Sequence, residues 1–232
     1  MDDGTIGISQ IDRREKHVES LVDSIQSLFK LLSIDFNRIE AIAVDVGPGL
    51  FTGIRTGIAT VMAMVKSKNL KALPVTSLDI LAYQGDFIPS ELIVPVIDAK
   101  KDEIYTGVYI KEYSGEFNPD ITDQLRNLVS PVSLRLDELF DSLAANNSVL
   151  NNRVILYGSG VNRYFEELNS MAKAEDRFNV SLIRSEMFEV PSVKTLIKIA
   201  GDRLSQNAVC SSDLKPIYLR PPNIKIGWQT RQ

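Results

Sequence analysis

The sequence contains one histidine, His17, and one cysteine, Cys210, in 232 residues. Histidine is the usual general base of Ser-His-Asp hydrolases and a frequent ligand of zinc. A single histidine therefore disfavours a hydrolase with a histidine base and excludes a two-histidine metal site. A lone cysteine excludes an intramolecular disulfide and a cysteine cluster around a metal, and it suits a reducing compartment.

Long apolar runs and an excess of positive charge are also absent. No stretch reaches the roughly 20 apolar residues that a membrane-spanning helix needs, and residues 1–4 lack the basic and apolar regions of a signal peptide. The net charge is -4, with 26 basic and 30 acidic residues. Binding of RNA phosphates by this chain alone is therefore disfavoured. We expect a cytoplasmic protein without membrane contact.

The hydrophobic pattern of the first 90 residues predicts an α/β domain. The continuous apolar run 41–46 is typical of a strand that is covered on both faces. Strand, helix and strand then follow in the order of a parallel crossover unit. In chain order we expect a half-buried strand over 5–11, an amphipathic helix over 13–32, a buried strand over 41–46 and a second helix over 54–66. A further strand over 70–75 and a short helix over 77–83, capped by Ser77, should follow.

Residues 91–232 are expected to form a second domain after a first domain of residues 1–90. The helix 191–204 is expected to pack back on the first domain, and 215–232 to form a loose tail. In chain order we expect a hairpin of two long strands over 92–98 and 103–113, and then a helix over 137–144 within a less regular stretch. A buried strand over 154–157, a helix over 164–172, a short strand over 180–183 and a last helix over 191–204 should follow.

The helix 54–66 has more apolar surface than one face can hold, because Ile58, Val61, Met62 and Met64 point in several directions. A large apolar side chain gains about 1.5–3 kcal/mol from burial. We therefore expect this helix to be covered on nearly all sides. The sheet covers one side, and the helix 13–32 or a partner protein must cover the rest.

Two interpretations of the glycine loop 47–53 stay open. Glycines between a buried strand and a helix N-terminus favour a phosphate, which would make the chain a small nucleotide-binding ATPase or kinase. However, Thr52 stands where a dinucleotide-binding fingerprint has its third glycine, and Ile54 follows Gly53 where a P-loop has lysine. The alternative is a tight turn that needs no ligand, with Thr52 as the helix cap.

Two further residues near glycines, Arg55 and Ser159, are candidates for a functional role. Arg55, one turn into the helix, is suited to an anion, a carboxylate of a partner or a loop carbonyl. Ser159 stands between Gly158 and Gly160 but lacks the nucleophile-elbow pattern, because Tyr157 precedes Gly158. We interpret Ser159 as part of a strand-to-helix turn.

The string over 46–55, Val-Gly-Pro-Gly-Leu-Phe-Thr-Gly-Ile-Arg, resembles the signature of the TsaB (YeaZ) family, whose usual form is Gly-Pro-Gly-Ser-Phe-Thr-Gly-Leu-Arg. Leu50 replaces the usual serine. Segments at 17–21, 74–79, 95–105, 158–160, 191–192 and 216–222 recur in family order, so that the similarity covers the chain from about residue 4 to 222. The signature residues are Gly47, Pro48, Gly49, Phe51, Thr52, Gly53 and Arg55.

The resemblance implies a reduced actin/Hsp70-like (ASKHA) nucleotidase fold, with two subdomains that each contain a mixed sheet flanked by helices. It implies a non-catalytic subunit without a cofactor. This subunit would form a heterodimer with the catalytic paralogue TsaD, which transfers threonylcarbamoyl to the tRNA adenosine next to the anticodon. In that paralogue two helix-borne histidines hold the metal, and His17 alone cannot reproduce the pair.

The resemblance also implies the partners and the surface that meets them. The family engages the ATPase TsaE, forms a homodimer when isolated, and meets tRNA only through the complex. Its heterodimer forms through the first two helices, here 13–32 and 52–68. We therefore expect the interface to comprise Val18, Val22, Ile25, Phe29, Ile58, Val61, Met62, Met64 and Val65.

One departure concerns the N-terminus. Family members begin with a strand that ends near Asp-Thr and continue with a second strand, before the segment that matches residue 4 onward. Neither strand has a counterpart here. Since the first of them lies in the middle of the family's sheet, its absence leaves a gap or an exposed edge. We expect that the start of the chain was assigned too late.

Overall fold

A computed structural model describes residues 6–10, 17–85, 91–112, 124–150, 152–206 and 214–220. Within these ranges helices and strands alternate along much of the chain. The elements are α1 (His17–Leu32), β1 (Ala41–Asp45), α2 (Phe51–Lys68), β2 (Lys71–Val75), α3 (Ser77–Gln84), β3 (Leu92–Lys100), β4 (Glu103–Glu112), β5 (Gln124–Arg135), α4 (Leu139–Ala144), β6 (Arg153–Tyr157), α5 (Ser159–Arg163), α6 (Phe165–Ala174), β7 (Asn179–Ile183) and α7 (Val193–Ser205).

The strands form two sheets. β1 and β2 are parallel, with Ala41 opposite Lys71 and Asp45 opposite Val75, and α2 is the crossover between them. The second sheet has the order β5-β4-β3-β6-β7. Its pairs β5–β4 and β4–β3 are antiparallel, whereas β3–β6 and β6–β7 are parallel. The predicted α/β fold and the parallel crossover unit are confirmed.

Helices from both halves of the chain cover the second sheet. On one face, apolar residues of β3, β4 and β6 pack with α4, α5 and α6 in a core that includes Leu92, Leu139, Leu156 and Leu168. On the other face, Leu78 and Leu81 of α3 pack against strand residues that include Tyr157. α7 packs against β1, β2 and α3. The boundary near residue 90 remains a prediction, because 86–90 lie outside the described residues.

The first sheet has a smaller core, which α2 shares with a C-terminal segment. We call residues 214–220 the strap. The buried members of this core are Val44, Val46, Ile58, Val65, Ala72 and Leu214. Much of β1 is only half-buried, although its continuous apolar sequence predicted cover on both faces.

The predicted strand over 5–11 is wrong for residues 6–10, which have no regular secondary structure; residues 5 and 11 lie outside the described part. No described strand pairs with this segment, so its alternating side chains have no sheet to join, and Ile6 is exposed. Gly7 instead lies against α1, where an added Cβ would be 2.6 Å from Leu32. The described part of the helix 13–32 begins at His17.

Two elements of the second half escaped prediction. β5 is a twelve-residue edge strand within the stretch that was expected to be less regular. It was not predicted because its sequence is partly polar and contains Pro131. Proline is tolerated in an edge strand, because a backbone position that faces away from the sheet forms no hydrogen bond with another strand. α5 is a five-residue helix before α6. The other predicted elements are present, with ends that shift by a few residues.

Candidate functional site

The glycine loop runs from the end of β1 to the start of α2 and is closely packed. Gly47 has a φ of +96°, and the peptide bond to Pro48 is cis. A Cβ at Gly47 would lie 2.8 Å from the side chain of Ile54 and 3.2 Å from the carbonyl oxygen of Ile217. Glycine is therefore required here both by the positive φ and by the close approach of the strap.

Backbone hydrogen bonds fix the loop on three sides. The Val46 N–H donates to the Val75 carbonyl at 2.9 Å, and the Ser77 N–H donates to the Gly47 carbonyl at 2.9 Å. The Ile217 N–H of the strap donates to the Val46 carbonyl at 2.8 Å. The loop is thus attached to the end of β2, to the start of α3 and to the strap.

Asp45 lies beneath the loop and was not singled out from the sequence. Its carboxylate accepts from the Gly47 N–H at 2.8 Å, and the Ser77 hydroxyl lies 2.7 and 2.8 Å from its two oxygens. Burial raises the pKa of Asp45, although the hydrogen bonds from Ser77 and Gly47 oppose that shift. An aspartate at the carboxyl end of a strand, directly before a glycine loop, was the available signal.

Two predicted helix caps are wrong. α2 begins at Phe51 after Leu50, with no side-chain cap, so Thr52 lies inside the first turn. At α3 the cap is Thr76, whose hydroxyl accepts from the Asp79 N–H at 2.9 Å. Ser77 is one residue too late to cap, and its hydroxyl contacts Asp45 instead.

The geometry of the loop favours a tight turn over a phosphate cradle. The Gly47 N–H, which a phosphate would need, already donates to Asp45. A cavity of about 590 Å³ runs along the loop, lined mainly by apolar groups and glycines. The charged groups in its lining are Asp45 and Glu189, both acidic, and acidic neighbours oppose a phosphate.

At the exposed end of the signature, the aromatic rings of Phe51 and Tyr218 contact the guanidinium group of Arg55. The Arg55 guanidinium carbon lies 3.8 Å from the centre of the Phe51 ring, and its Nε donates to the Tyr218 hydroxyl at 2.7 Å. Among the described residues, Arg55 makes no hydrogen bond to a loop carbonyl. Tyr218 was missed, because nothing in the sequence links two residues 163 positions apart. Thr52 and Gly53 are exposed beside this cluster.

The predicted interface residues are distributed between the core and the surface. Ile58 and Val65 are buried in the core of the first sheet, where Val61 and Met62 pack against them. Ile25, Phe29 and Met64 are half-buried. Val22 is 48% exposed, and Leu31, which was not predicted, is 79% exposed. The side chain of Val18 lies outside the described part.

α2 is less enclosed than its sequence predicted. The sheet and the strap cover the side that carries Ile58 and Val65, and α1 lies beside the helix. On the remaining surface, exposed positions are occupied by small residues such as Ala59 and Ala63. The chain by itself therefore leaves part of α2 uncovered, and cover of this remaining surface by a partner protein stays a prediction.

Ser159 takes part in a strand-to-helix turn, as predicted. Its hydroxyl accepts from the Asp98 N–H at 3.1 Å at the start of α5. Gly158 has a φ of +120°, and a Cβ there would be 2.4 Å from the Val96 carbonyl oxygen. This close packing explains the glycine without a ligand.

Neither a metal site nor a membrane span is found in the part of the chain that the structure describes. Nowhere in these residues do three histidine, cysteine, aspartate or glutamate side chains come together as metal ligands would. None of the helices described above combines the length and the apolar character needed to cross a bilayer.

Comparison with known proteins places the chain in a family. Residues 7–228 match the family model for TsaD, tRNA N6-adenosine threonylcarbamoyltransferase. The tRNA threonylcarbamoyladenosine biosynthesis protein TsaB of Haemophilus influenzae is 22% identical over 88% of this chain and 80% of its own length. The protein of the same name from Bacillus subtilis is 29% identical over 41% of this chain and 42% of its own length.

A solved structure agrees with these matches. A crystal structure from Pseudomonas aeruginosa, of a protein described as similar to the peptidase YEAZ, superposes with a TM-score of 0.63 and 25% identity. The superposition covers 88% of this chain and 85% of that one. The chain therefore belongs to the family of the tRNA N6-adenosine threonylcarbamoyltransferase TsaD, and within it to the TsaB (YeaZ) proteins.

Proposed function

We propose that this protein is a non-catalytic subunit in the biosynthesis of threonylcarbamoyladenosine in tRNA, and that it acts in the cytoplasm as a heterodimer with TsaD. The observation that carries the proposal is similarity to a protein named TsaB over 88% of the chain.

The sequence supports a non-catalytic role within this family. The resemblance implies that TsaD holds its metal with two helix-borne histidines, and His17 is the single histidine of this chain. The residues of the glycine loop, which are the most specific part of the resemblance, form a packed turn with the half-buried carboxylate of Asp45 beneath it. These features suit a structural role for the loop.

The outward sides of α1 and α2 are the surface that we propose for TsaD. We call this surface, which includes Val22, Ala59, Ala63 and Met64, the α1–α2 face. Val22 is exposed, and its burial would gain about 1.5–3 kcal/mol. The small residues Ala59 and Ala63 permit the close approach of another helix, since helix separation depends on the side chains at the contact.

The other partners follow from the same surface and charge. An isolated chain can cover the α1–α2 face with a second copy of itself, which suits a homodimer that TsaD displaces. A net charge of -4 suits contact with tRNA through the assembled complex only. TsaE is proposed as the ATPase partner on the strength of the family resemblance.

The first experiment is co-purification with TsaD from the same organism, with a matched pair of variants. Val22→Asp places a charge on the α1–α2 face, where Val22 is 48% exposed; Val193→Asp places the same charge at the start of α7, where Val193 is 45% exposed. We expect the unchanged chain and Val193→Asp to bind TsaD and support tRNA modification, and Val22→Asp to bind at least about tenfold more weakly. Equal affinities for the two variants would move the interface elsewhere, and failure of the unchanged chain to bind would contradict the heterodimer.

The nucleotide-binding alternative needs its own experiment. Titration of the isolated chain with ATP and Mg²⁺ is expected to give no saturable heat, because the loop N–H is occupied and the cavity's charged lining is acidic. Saturable binding that Gly49→Trp abolishes would instead favour an ATPase or kinase that uses the loop.

A further inference from the structure

We propose that Arg55 of this chain binds an aspartate or glutamate side chain of TsaD, flanked by an apolar residue, at the end of the α1–α2 face. Arg55 and its neighbours Leu50, Phe51 and Tyr218 are called the Arg55 cluster. The inference deepens the proposed heterodimer and rests on it. It names a specific ionic contact at one end of the α1–α2 face.

The guanidinium group is held in place before any partner arrives. Phe51 lies against its face, with the guanidinium carbon 3.8 Å from the ring centre, and Tyr218 accepts from Nε at 2.7 Å. The two rings also contact each other, with centres 5.3 Å apart. Fixing a long side chain in advance reduces the conformational entropy that binding would otherwise cost.

The two terminal nitrogens of Arg55 remain available. In the described ranges, the hydrogen bond to Tyr218 is the one polar contact that Arg55 makes, and no carboxylate pairs with it. Two acidic side chains that contact the glycine loop or the strap are already engaged. Asp45 accepts from Gly47 and Ser77, and Glu103 is paired with Arg220. Two parallel N–H groups on a fixed plane match the two oxygens of a carboxylate.

The surroundings of the guanidinium group are apolar and exposed. Leu50 is 73% exposed at the start of α2, and the rings of Phe51 and Tyr218 are also exposed. Tyrosine and arginine are enriched among the residues that dominate protein–protein binding energy, where apolar neighbours exclude water from the contact. The expected ligand is therefore a carboxylate with an apolar residue beside it. Phe51 and Arg55 lie on the first turns of α2, so the cluster is continuous with the α1–α2 face.

The strap makes Tyr218 a positioning residue. Leu214 is buried in the core of the first sheet, the Ile217 N–H donates to the Val46 carbonyl at 2.8 Å, and Arg220 pairs with Glu103. Tyr218 is therefore held on both sides along the chain. Its hydroxyl in turn sets the plane of the Arg55 guanidinium group.

A carboxylate of a protein suits the cluster better than a phosphate of tRNA. The next cation along the strap, Arg220, is already paired. The chain as a whole carries a charge of -4. Binding to nucleic acid normally needs several free cations along the backbone, whereas one fixed guanidinium group with apolar neighbours is sufficient for a carboxylate.

The test is isothermal titration of the full-length chain and three variants with purified TsaD. Arg55→Lys keeps the charge but loses the planar fork, and we expect at least about tenfold weaker binding. Tyr218→Phe removes only the hydroxyl and should weaken binding a few-fold. Arg184→Lys is the matched control, because Arg184 also lies over an aromatic ring, 5.2 Å from the centre of Phe165, in the second half. Its affinity should equal that of the unchanged chain.

The outcomes separate this inference from the proposed function. If the unchanged chain does not bind TsaD, the heterodimer and this contact are both overturned. If it binds and Arg55→Lys and Tyr218→Phe bind as tightly, only the Arg55 contact is overturned. If both variants bind TsaD normally but the assembled complex loses affinity for tRNA, the carboxylate is overturned in favour of a phosphate. Arg55 is exposed, and circular dichroism of each variant checks that the fold is retained.

Discussion

The two sheets of this protein differ in how completely the chain itself covers them. The five-stranded sheet has helices on both faces, α3 on one and α4, α5 and α6 on the other, and its largest cluster buries sixteen residues. The two-stranded sheet shares a cluster of six buried residues with α2 and the strap, and α7 also packs on it. Around it Val22, Leu31, Leu50 and Phe51 remain exposed.

This difference suggests that the two sheets have different roles in the protein. The second half also exposes the apolar side chains of Leu150, Met187, Val190, Val193 and Ile197, and the last two lie on α7, the helix that packs against β1 and β2. We infer that the five-stranded sheet supplies most of the stability, and that the first sheet and its helices supply the surface for TsaD.

The largest expected effect is a loss of stability from the second sheet. Leu156→Ala empties a fully buried position on β6 and should lower the free energy of unfolding by about 2–5 kcal/mol. Leu150→Ala is the matched control, because Leu150 is exposed and its loss should cost less than about 0.5 kcal/mol. Denaturant unfolding followed by circular dichroism measures both. Similar losses for the two variants would contradict the assignment of the core.

A smaller effect should separate two residues of α2 that the sequence treats alike. Both residues are half-buried, but Val61 packs against the core of the first sheet, whereas we assign Met64 to the α1–α2 face. Val61→Asp should therefore cost about 2 kcal/mol or more of unfolding free energy, because it places a charge against apolar neighbours. Met64→Asp should leave stability within about 1 kcal/mol and weaken TsaD binding.

The two measurements are thermal unfolding of each isolated variant and titration with TsaD. A Met64→Asp protein that unfolds as readily as Val61→Asp would show that Met64 is a core residue. A Met64→Asp protein with normal stability and normal TsaD affinity would remove this residue from the α1–α2 face.

The sequence predicted those parts of the fold that are encoded locally. Apolar spacing located α1, and the run before Gly47 located β1, because each pattern is completed within one element. β5 was missed because an edge strand keeps polar side chains and tolerates Pro131. The strand over 5–11 was predicted only from the alternation of polar and apolar residues. Such alternation shows which side chains a strand would bury, but not whether another strand is present to pair with it.

The candidate site was predictable to a lesser extent, because its contacts join distant parts of the chain. The signature string identified Arg55 and the loop. Nothing in the sequence, however, indicates that Tyr218 contacts Arg55 or that Ser77 contacts the aspartate beneath the loop. Ile58 and Met64 also cannot be told apart by hydrophobicity. Burial in the structure separates the residue that holds α2 in place from the residue that faces outward.

The smallest expected effects concern one aspartate near the end of a strand in each half. Asp45 on β1 is half-buried and accepts hydrogen bonds from neutral groups, and its burial raises its pKa above the ordinary value of 3.8. Asp98 on β3 is also half-buried, which by itself raises its pKa. The hydrogen bonds from the side chain and backbone of Lys100 and the positive charges of Lys100 and Arg163 outweigh burial, so the pKa of Asp98 is lowered.

Opposite shifts give opposite dependences of stability on pH. A raised folded-state pKa means that the folded protein binds the Asp45 proton more tightly, so its stability relative to Asp45→Asn should fall as pH rises above 3.8. A lowered pKa means that Asp98 contributes stability above 3.8, which should be lost relative to Asp98→Asn as pH falls through the folded-state pKa. Urea unfolding of the three proteins between pH 3 and pH 7 gives both differences, and contributions of the other carboxyl groups cancel in each subtraction. Two differences with the same sign of slope would mean that the neighbours of the two aspartates do not distinguish them.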